Sequence, residues 1–250
     1  MTKTVIITGA SSGIGKALAL EFAKRGYNLG LTARRVDKLK ELQTQILALP
    51  QAHQSFVELA AMDVKATDTV GPVMDDLIAR LGKVDIVVAN AGVNQLTGVG
   101  KGQLDIELDM VQTNLLGAIA TVHAAVAYFR KMGGGHVVGI SSLASLTAIP
   151  KQAAYCATKA GFSMYLDCAA IELKKYKIDF TKIMPGFVKT DIVDNMEQFP
   201  FLVTAEQAAK EIVDQVEKRK SVGVVPGYPW KFIKPLMSSM PAGVWKYIKH

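Results

Sequence analysis

The first 26 residues constrain the fold of this chain more than any other segment of its sequence. The apolar run Thr4–Thr8 is rich in β-branched residues, which is typical of a buried parallel strand. Glycines follow in the spacing Gly9-x3-Gly13-x-Gly15, and a helical pattern then stops at Gly26. A strand, a glycine-rich turn and a helix start, in this order, present free backbone amides and the helix dipole to an anion. The segment therefore predicts a phosphate-binding strand–turn–helix unit.

Apolar strands alternate with helical patterns along most of the chain. The strands are expected to begin near residues 4, 27, 55, 84, 136, 178 and 221. Such alternation predicts an α/β fold, a doubly wound, seven-stranded parallel sheet with helices on both faces in three layers. The 250 residues, 50% of them apolar, suffice for one large domain. We assign residues 1–225 to this domain and residues 226–250 to a basic, aromatic tail.

Tyr155 and Lys159 are four residues apart in a segment with a helical pattern, so their side chains are expected on one face. A phenol normally loses its proton at about pH 10, and a neighbouring ammonium lowers that value. The pair therefore predicts a tyrosine that acts as a general acid or base. Because the same spacing is common on solvated helix faces, its weight comes from the glycine-rich turn elsewhere in the chain.

Six motifs occur in a fixed order between residues 8 and 190. They are Thr8-Gly-Ala-Ser-Ser-Gly-Ile-Gly15, Asp63-Val64, Asn90-Ala-Gly92, Asn114, Ser142 with Tyr155 and Lys159, and Pro185-Gly186 with Thr190. Together they resemble the short-chain dehydrogenase/reductase family in its single-domain branch. The chain departs from the common pattern once, where Ala89 replaces the first Asn of Asn-Asn-Ala-Gly. The resemblance implies a Rossmann-type fold and hydride transfer between a nicotinamide and a carbonyl/alcohol pair.

The resemblance implies a catalytic role for four residues. Tyr155 would transfer the proton, and Lys159 would lower the pKa of Tyr155 and bind the nicotinamide ribose. Ser142 would hold the substrate oxygen, and Asn114 would support a water that relays protons to Lys159. Ser141 remains the alternative to Ser142, because both follow an apolar strand and such serines are often turn residues. A polar Asn114 inside an apolar helix is unfavourable without a partner, and such misfits are expected at functional sites.

The resemblance also implies how the cofactor is bound. Thr190 would hold the nicotinamide carboxamide, Asp63 would accept from the adenine amino group with Val64 beside the base, and Gly92 would line the adenosine ribose. The expected cofactor-binding residues are Gly9, Ser11, Ser12, Gly13, Ile14, Gly15, Arg34, Arg35, Asp63, Val64, Asn90, Ala91, Gly92, Tyr155, Lys159, Pro185, Gly186, Val188 and Thr190.

The end of the second predicted strand indicates which nicotinamide cofactor is used. An acidic residue there would accept from a ribose hydroxyl and repel a 2′-phosphate. This chain instead has Arg34 and Arg35, whose guanidinium groups suit a phosphate. We predict NADP(H), with Arg34 as the main phosphate ligand. The alternative is that one arginine, Arg35 in particular, is a solvated residue before the next helix.

The net charge of +7 is concentrated at the end of the chain, because no acidic residue follows Glu217. Seven cations and both tryptophans lie beyond it. Three interpretations stay open: the tail packs on the domain or a second subunit, it contacts an anionic membrane surface, or it attracts an acidic partner. Nucleic acid is not expected as a partner, because no recognition module accompanies the charge.

The residues after Pro185-Gly186 would fold over the substrate in the family that the chain resembles. Their apolar character predicts an uncharged, fairly hydrophobic ketone, aldehyde or alcohol, including long-chain ones, although the same residues could serve the core. The expected cover comprises Phe187, Ile192, Val193, Met196, Phe199, Phe201 and Leu202, and the expected pocket adds Val93, Leu96, Leu143 and Leu146.

Several negative expectations complete the sequence interpretation. Cys156 and Cys168 are separated by roughly 18 Å on one predicted helix, too far for a disulfide, so both are expected free as in a reducing cytosol. Cys156 is expected to be a packing residue, and no metal site is expected. No unbroken apolar stretch reaches the length of a membrane span. We expect a cytoplasmic protein, peripheral to the inner membrane face if its tail binds lipid.

The predicted function is an NADP(H)-dependent oxidoreductase that acts on a small-molecule carbonyl or alcohol. One alternative is a catalytically silent NADP-binding regulator or scaffold. A second is a sugar-nucleotide epimerase or dehydratase, for whose longer substrate domain we expect no room. Similarity to the family implies a homodimer or homotetramer, paired through helices near residues 105–131 and 152–175.

Overall fold

The computed structural model of the protein describes residues 2–50, 55–190 and 201–237, with side chains described up to Lys234. Within these ranges seven parallel strands form the central sheet: β1 (Thr4–Thr8), β2 (Asn28–Ala33), β3 (Val57–Ala61), β4 (Ile86–Ala89), β5 (Gly135–Ile140), β6 (Ile178–Pro185) and β9 (Val222–Val225). Two short strands, β7 (Val188–Lys189) and β8 (Val203–Thr204), pair with each other outside it. The predicted seven-stranded parallel sheet is confirmed, and each strand begins within two residues of its predicted start.

The helices alternate with the strands. They are α1 (Gly13–Lys24), α2 (Val36–Leu47), α3 (Thr67–Leu81), α4 (Leu104–Val111), α5 (Ala118–Met132), α6 (Ala153–Leu173), α7 (Ala205–Glu217) and α8 (Trp230–Met237). A π-helical turn, Gln112–Gly117, joins α4 to α5, and a 3₁₀ turn, Leu143–Leu146, follows β5.

The helices cover both faces of the sheet, as the alternation of side chains along β1 shows. Val5 and Ile7 belong to one core with Phe22 of α1, whereas Ile6 belongs to a second core with Phe129 of α5. Because successive strand side chains point to opposite faces, one buried strand supplies both cores. The first core packs α1, α2 and α7 on the sheet, and the second packs α3, α5 and α6. The predicted three-layer arrangement is therefore confirmed.

The strands lie in the order β3-β2-β1-β4-β5-β6-β9, so the side of the sheet on which successive strands are added changes between β1 and β4. The chain moves outward from β1 through β2 to β3, and then returns to start again with β4 on the other side. The loops that follow β1 and β4 therefore run to opposite sides of the sheet. The crevice between them is the place where α/β proteins bind ligands.

The continuous helical run Leu104–Met132 is long and apolar enough to cross a membrane by length and composition alone. Its residues Val122, Ala125 and Phe129 are buried in the second core, against the sheet. We therefore interpret the run as a core helix, whose apolar composition serves packing between the sheet and α3.

Candidate active site

The glycine-rich turn lies at the carboxyl end of β1, in the crevice. Gly9 has φ +66°, a conformation that side chains rarely adopt, and a Cβ there would lie 2.7 Å from the Cα of Ala91. At Gly15 a Cβ would lie 2.5 Å from Nδ2 of Asn90. The turn can thus approach the β4 loop only without side chains at these two positions.

The start of α1 is built to receive an anion. Its N-cap residue Ser12 makes no side-chain cap hydrogen bond, and its first turn carries no acidic residue. The first amides of a helix have no intrahelical acceptor, and the helix dipole places partial positive charge there. These amides and the glycine turn fit the pyrophosphate of a dinucleotide.

Asn90 holds the turn in place. Its Nδ2 donates to the carbonyl oxygen of Thr8 at 2.9 Å and to that of Gly9 at 3.3 Å. The hydroxyl of Thr8 accepts in return from the backbone amides of Asn90 and Ala91, both at 3.1 Å. This reciprocal contact fixes the two sides of the crevice relative to each other.

Arg35, one of the predicted cofactor-binding residues, reaches the glycine turn. Its Nη2 donates to the hydroxyl groups of Ser11 and Ser12, both at 3.2 Å. Arg34 and Arg35 are both exposed, and Arg35 directly precedes α2, as the alternative expected. Its guanidinium nevertheless contacts the turn that is predicted to bind the phosphate groups.

Asp63 and Val64, which are predicted to contact the adenine, lie beyond the end of β3. Oδ1 of Asp63 accepts from the amide of Lys65 at 3.1 Å, which orients the carboxylate. Val64 is buried, and a Cβ at Gly117 of the π-helical turn would lie 2.7 Å from it. Val64 therefore joins the edge of the crevice to the segment that carries Asn114.

Lys159 is a buried cation at the centre of the predicted catalytic group. Only 5% of it is exposed, and its Nζ donates to the carbonyl oxygen of Ile140 at 2.9 Å. Burial lowers the pKa of Lys159 to about 8, because the ammonium loses water without gaining a carboxylate partner. A Cβ at Gly92 would lie 3.6 Å from this Nζ, so a side chain at position 92, in the loop after β4, would contact the ammonium.

Tyr155 lies one turn before Lys159 on α6, with the ammonium nitrogen 5.9 Å from the centre of its ring. Burial raises the pKa of Tyr155, and a hydrogen bond with Ser142 opposes that rise in part. The expectation that Lys159 lowers the pKa of Tyr155 stays a prediction, because the causes of the shift are burial, the Ser142 hydroxyl and Cys156. Burial is the largest of them, since it removes the phenol from water.

The structure distinguishes Ser142 from Ser141. Ser141 donates to the carbonyl oxygen of Lys159 at 3.2 Å and contacts the hydroxyl of Ser163 at 2.6 Å, so it ties β5 to α6. Ser142 instead accepts from the amide of Ala144 at 3.1 Å and contacts the phenol of Tyr155. Of the two serines, Ser142 is therefore the one whose hydroxyl contacts Tyr155, the predicted general acid.

Asn114 lies in the π-helical turn and is fully buried. Its Oδ1 accepts from the amide of Val93 at 2.8 Å, and its Nδ2 donates to the carbonyl of Val93 at 2.7 Å. Nδ2 also lies 3.5 Å from the hydroxyl of Thr158 on α6. The predicted misfit is thus resolved by the backbone beyond β4, and π-helical turns of this kind are frequent at functional sites.

The remaining predicted cofactor residues follow β6. Pro185 ends that strand, its carbonyl lies 3.5 Å from the hydroxyl of Ser142, and Gly186 donates to the carbonyl of Val225 at 2.8 Å. Val188 is buried in β7, and Thr190 is the last residue before a gap in the described chain. The expected cover residues Ile192, Val193, Met196 and Phe199 lie outside the described residues.

Sequence analysis did not foresee which residues Trp230 contacts. Trp230 lies in the segment assigned to the tail, and it is buried against Leu143, Met184 and Val224, with Phe187 and Leu146 packed beside it. Two of these neighbours were predicted as pocket residues. A periodicity signal was available, because Trp230 and Ile233 are three residues apart on the buried side of α8, but no motif marks the helix.

The cysteines and His136 do not point to a thiol, histidine or metal mechanism in the described part of the chain. Both cysteines are free, as predicted, and burial raises the pKa of the Cys156 thiol. Burial lowers the pKa of His136 to about 4, and its Nε2 lies 2.8 Å from the hydroxyl of Thr181. In the described part of the chain, no group of three or more His, Cys, Asp or Glu side chains could hold a metal ion.

Comparisons with known proteins agree with this geometry. The family model described as short chain dehydrogenase matches residues 3–201. An uncharacterized oxidoreductase of Mycobacterium tuberculosis is 31% identical over 239 residues, 95% of this chain and 93% of the relative. The alcohol dehydrogenase of the archaeon Thermococcus sibiricus, solved with 5-hydroxy-NADP, has a TM-score of 0.80 at 27% identity, covering 90% of this chain and 95% of that one. ElxO with NADP bound has a TM-score of 0.80 at 26% identity, covering 91% and 99%.

Proposed function

This chain belongs to the short chain dehydrogenase family and is an oxidoreductase of that type, and from that premise we propose that it is an NADP(H)-dependent reductase of hydrophobic ketones or aldehydes. One observation carries the proposal. The hydroxyl of Ser142 and the phenol of Tyr155 meet beside the buried ammonium of Lys159, at the same edge of the sheet as the glycine turn.

The chain's own residues divide the work as follows. The bound nicotinamide cofactor supplies or accepts the hydride. Ser142 holds the carbonyl oxygen of the substrate by a hydrogen bond, and Tyr155, protonated at neutral pH because burial raises its pKa, donates the proton. Lys159 carries positive charge next to that phenol and offsets the negative charge that develops on the oxygen. Asn114 fixes the β4 loop and, with Lys159, holds the proton-relay water that the family implies.

The preference for NADP(H) rests on Arg34 and Arg35. Support comes from the position of Arg35 against Ser11 and Ser12, and from the NADP found in structures similar to this one. Arg34 was predicted as the main phosphate ligand. The contacts of Arg35 now favour that residue, so we propose that both cations bind the 2′-phosphate, with Arg35 closer to the glycine turn.

Replacing either arginine by alanine is expected to weaken NADPH binding roughly 10- to 100-fold, because each charge-assisted hydrogen bond contributes about 1.5–3 kcal/mol. NADH binding should change little, since NADH lacks the 2′-phosphate. Fluorescence titration of NADPH and NADH against R34A and R35A measures both effects. K38A, which removes an exposed lysine of α2, is the control. Equal loss for both dinucleotides would contradict the assignment.

The substrate is proposed to be hydrophobic because the residues around Trp230 are apolar. Each additional methylene of a ketone buried there contributes about 0.8 kcal/mol, so kcat/KM should rise roughly threefold to fourfold per carbon until the pocket is full. A stopped assay of NADPH oxidation against ketones of increasing chain length measures this. Turnover of small hydrophilic sugars or acids alone would reject the proposed substrate class.

The tail is proposed to contact an anionic membrane surface, which would make this a cytoplasmic protein peripheral to the inner membrane face. Tyr228 and Phe232 are both 77% exposed, and Lys231 beside them is exposed as well. Exposed aromatic rings and lysines together suit the boundary of an anionic bilayer. The same ketone assay with anionic liposomes tests it: unchanged rates and no cosedimentation would contradict membrane contact.

A homo-oligomer is proposed from the exposed apolar side chains of α4 and α6. Met164 and Ile171 of α6 are 63% and 80% exposed, and Leu104 and Leu108 of α4 are exposed too. Exposed apolar side chains in such number on two neighbouring helices are typical of an interface.

We expect M164E combined with I171E to convert a dimer or tetramer into monomers, because two carboxylates cannot be buried there without partners. Sedimentation velocity measures the change, and L47E on α2 is the matched control at another exposed leucine. A monomeric wild type at micromolar concentration would overturn the oligomer proposal.

The alternative of a catalytically silent NADP-binding regulator is not favoured. Ser142, Tyr155 and Lys159 are assembled together in the crevice, and a protein that only binds the dinucleotide has no need of a buried ammonium. Tight NADPH binding with no turnover of any ketone in the panel would support that alternative.

A further inference from the structure

The indole of Trp230 is held rigidly at the carboxyl edge of the sheet. Only 8% of the residue is exposed, and the rings of Phe187 and Phe201 meet it edge-on with centroids 5.8 Å and 6.0 Å away. A Cβ at Gly186 would lie 2.9 Å from the indole nitrogen Nε1 and 3.3 Å from Cδ1 of Leu143. A side chain at position 186 would therefore collide with the indole, so this close approach requires glycine there.

This nitrogen is a buried donor with no acceptor in the described part of the chain. Buried indole N–H groups usually find a partner, because leaving such a donor unpaired costs about 1–3 kcal/mol. The apolar side chains packed around the indole offer it no acceptor. An orphaned donor at a predicted substrate pocket indicates that a ligand atom is its partner.

The indole packs on chain neighbours of the hydroxyl proposed to hold the reacting oxygen. Leu143, which packs on the indole, directly follows Ser142. Gly186, which also lies against the indole, directly follows Pro185, whose carbonyl lies 3.5 Å from the Ser142 hydroxyl. Phe201, which meets the indole edge-on, is half exposed.

We propose that the N–H of Trp230 binds a second oxygen of the substrate, an ether, ester or carbonyl acceptor a few atoms from the reduced carbonyl. The inference rests on the proposed function and narrows it from hydrophobic ketones in general to oxygenated ketones such as keto esters and alkoxy ketones. Trp230 is then a specificity-determining residue, since its hydrogen bond discriminates between substrates that have this oxygen and those that do not.

The test compares W230F with wild type on two ketones of equal length, one with an ether or ester oxygen near the carbonyl and one with methylene in its place. W230F should raise KM for the oxygenated ketone roughly 5- to 30-fold and leave kcat unchanged, because the bond is made equally before and during reaction. KM for the methylene analogue should change less than about threefold. F187L, which removes a packing ring but no donor, should affect both ketones alike.

Equal losses on both ketones in W230F, or no loss, would overturn the inference. A second readout separates it from the proposed function. In a W245F background Trp230 is the sole tryptophan, and NADPH-free enzyme is titrated with each ketone while indole emission is followed. If wild type reduces neither ketone yet the oxygenated one alone shifts the emission, the proposed function fails and the binding site stands. If neither ketone shifts the emission nor is reduced, the binding site fails too.

Discussion

Y155F is expected to lose about 10²–10⁴ of the wild-type turnover, the range that a positioned general acid contributes. The phenol of Tyr155 contacts the Ser142 hydroxyl, and phenylalanine keeps the ring while removing the phenol proton. Because burial raises the pKa of Tyr155, its phenol carries the proton at neutral pH. A water molecule in place of the phenol oxygen should restore only part of the turnover that Y155F loses. Steady-state rates of NADPH oxidation with the best ketone measure the loss.

The control for Y155F is binding rather than rate. NADPH affinity should stay within about threefold of wild type, since the variant changes a step made in the transition state. Y165F, about three turns further along α6 at a half-buried tyrosine, should keep full turnover. A Y155F enzyme with rates near wild type would show that another group supplies the proton.

K159M is expected to be inactive yet more stable than wild type at pH 7. Turnover should fall about 10²–10⁴-fold, because the charge beside Tyr155 is lost. The free energy of unfolding of the unliganded enzyme should rise by about 1–3 kcal/mol, since the buried ammonium no longer has to be taken from water. The lost hydrogen bond to the carbonyl of Ile140 reduces this gain. Thermal and urea unfolding measure it.

The stability gain of K159M should depend on pH with a defined sign. Burial lowers the pKa of Lys159 from 10.5 to about 8, so the folded enzyme releases this proton before the unfolded chain does. Below pH 8 the full cost of the buried charge is present in wild type. Between about pH 8 and 10.5 wild type recovers that cost, and the difference between the two proteins should vanish. K131M, at an exposed lysine of α5, should stay within about 0.5 kcal/mol of wild type throughout.

The positive charge of Lys159 is therefore expected to support turnover and to lower the free energy of unfolding. Lys159 is 5% exposed and has a backbone carbonyl as its hydrogen-bond partner, an arrangement that a structural lysine would avoid. If K159M were less stable than wild type at pH 7 and kept its turnover, the ammonium would be a structural group rather than a catalytic one.

The sequence by itself determined the architecture and the composition of the site. The β-branched run at Thr4–Thr8, the glycine spacing behind it and the later strands imposed a parallel sheet, because strand periodicity, turn chemistry and helix stops are local properties of the chain. The order of motifs then identified Ser142, Tyr155 and Lys159, and the fold brings the three together.

Tertiary structure decided what depends on distance and burial between separate segments. It turned Arg35 toward Ser11 and Ser12, gave Asn114 the backbone of Val93 as its partner, and separated Ser141 from Ser142. It also set the direction of the pKa shift of Tyr155, because desolvation depends on everything packed around a group and not only on its neighbour four residues away. Trp230 joined the cluster with Leu143, Met184 and Val224 because the strand order places β9, and hence α8, beside β6, a contact that no local pattern encodes.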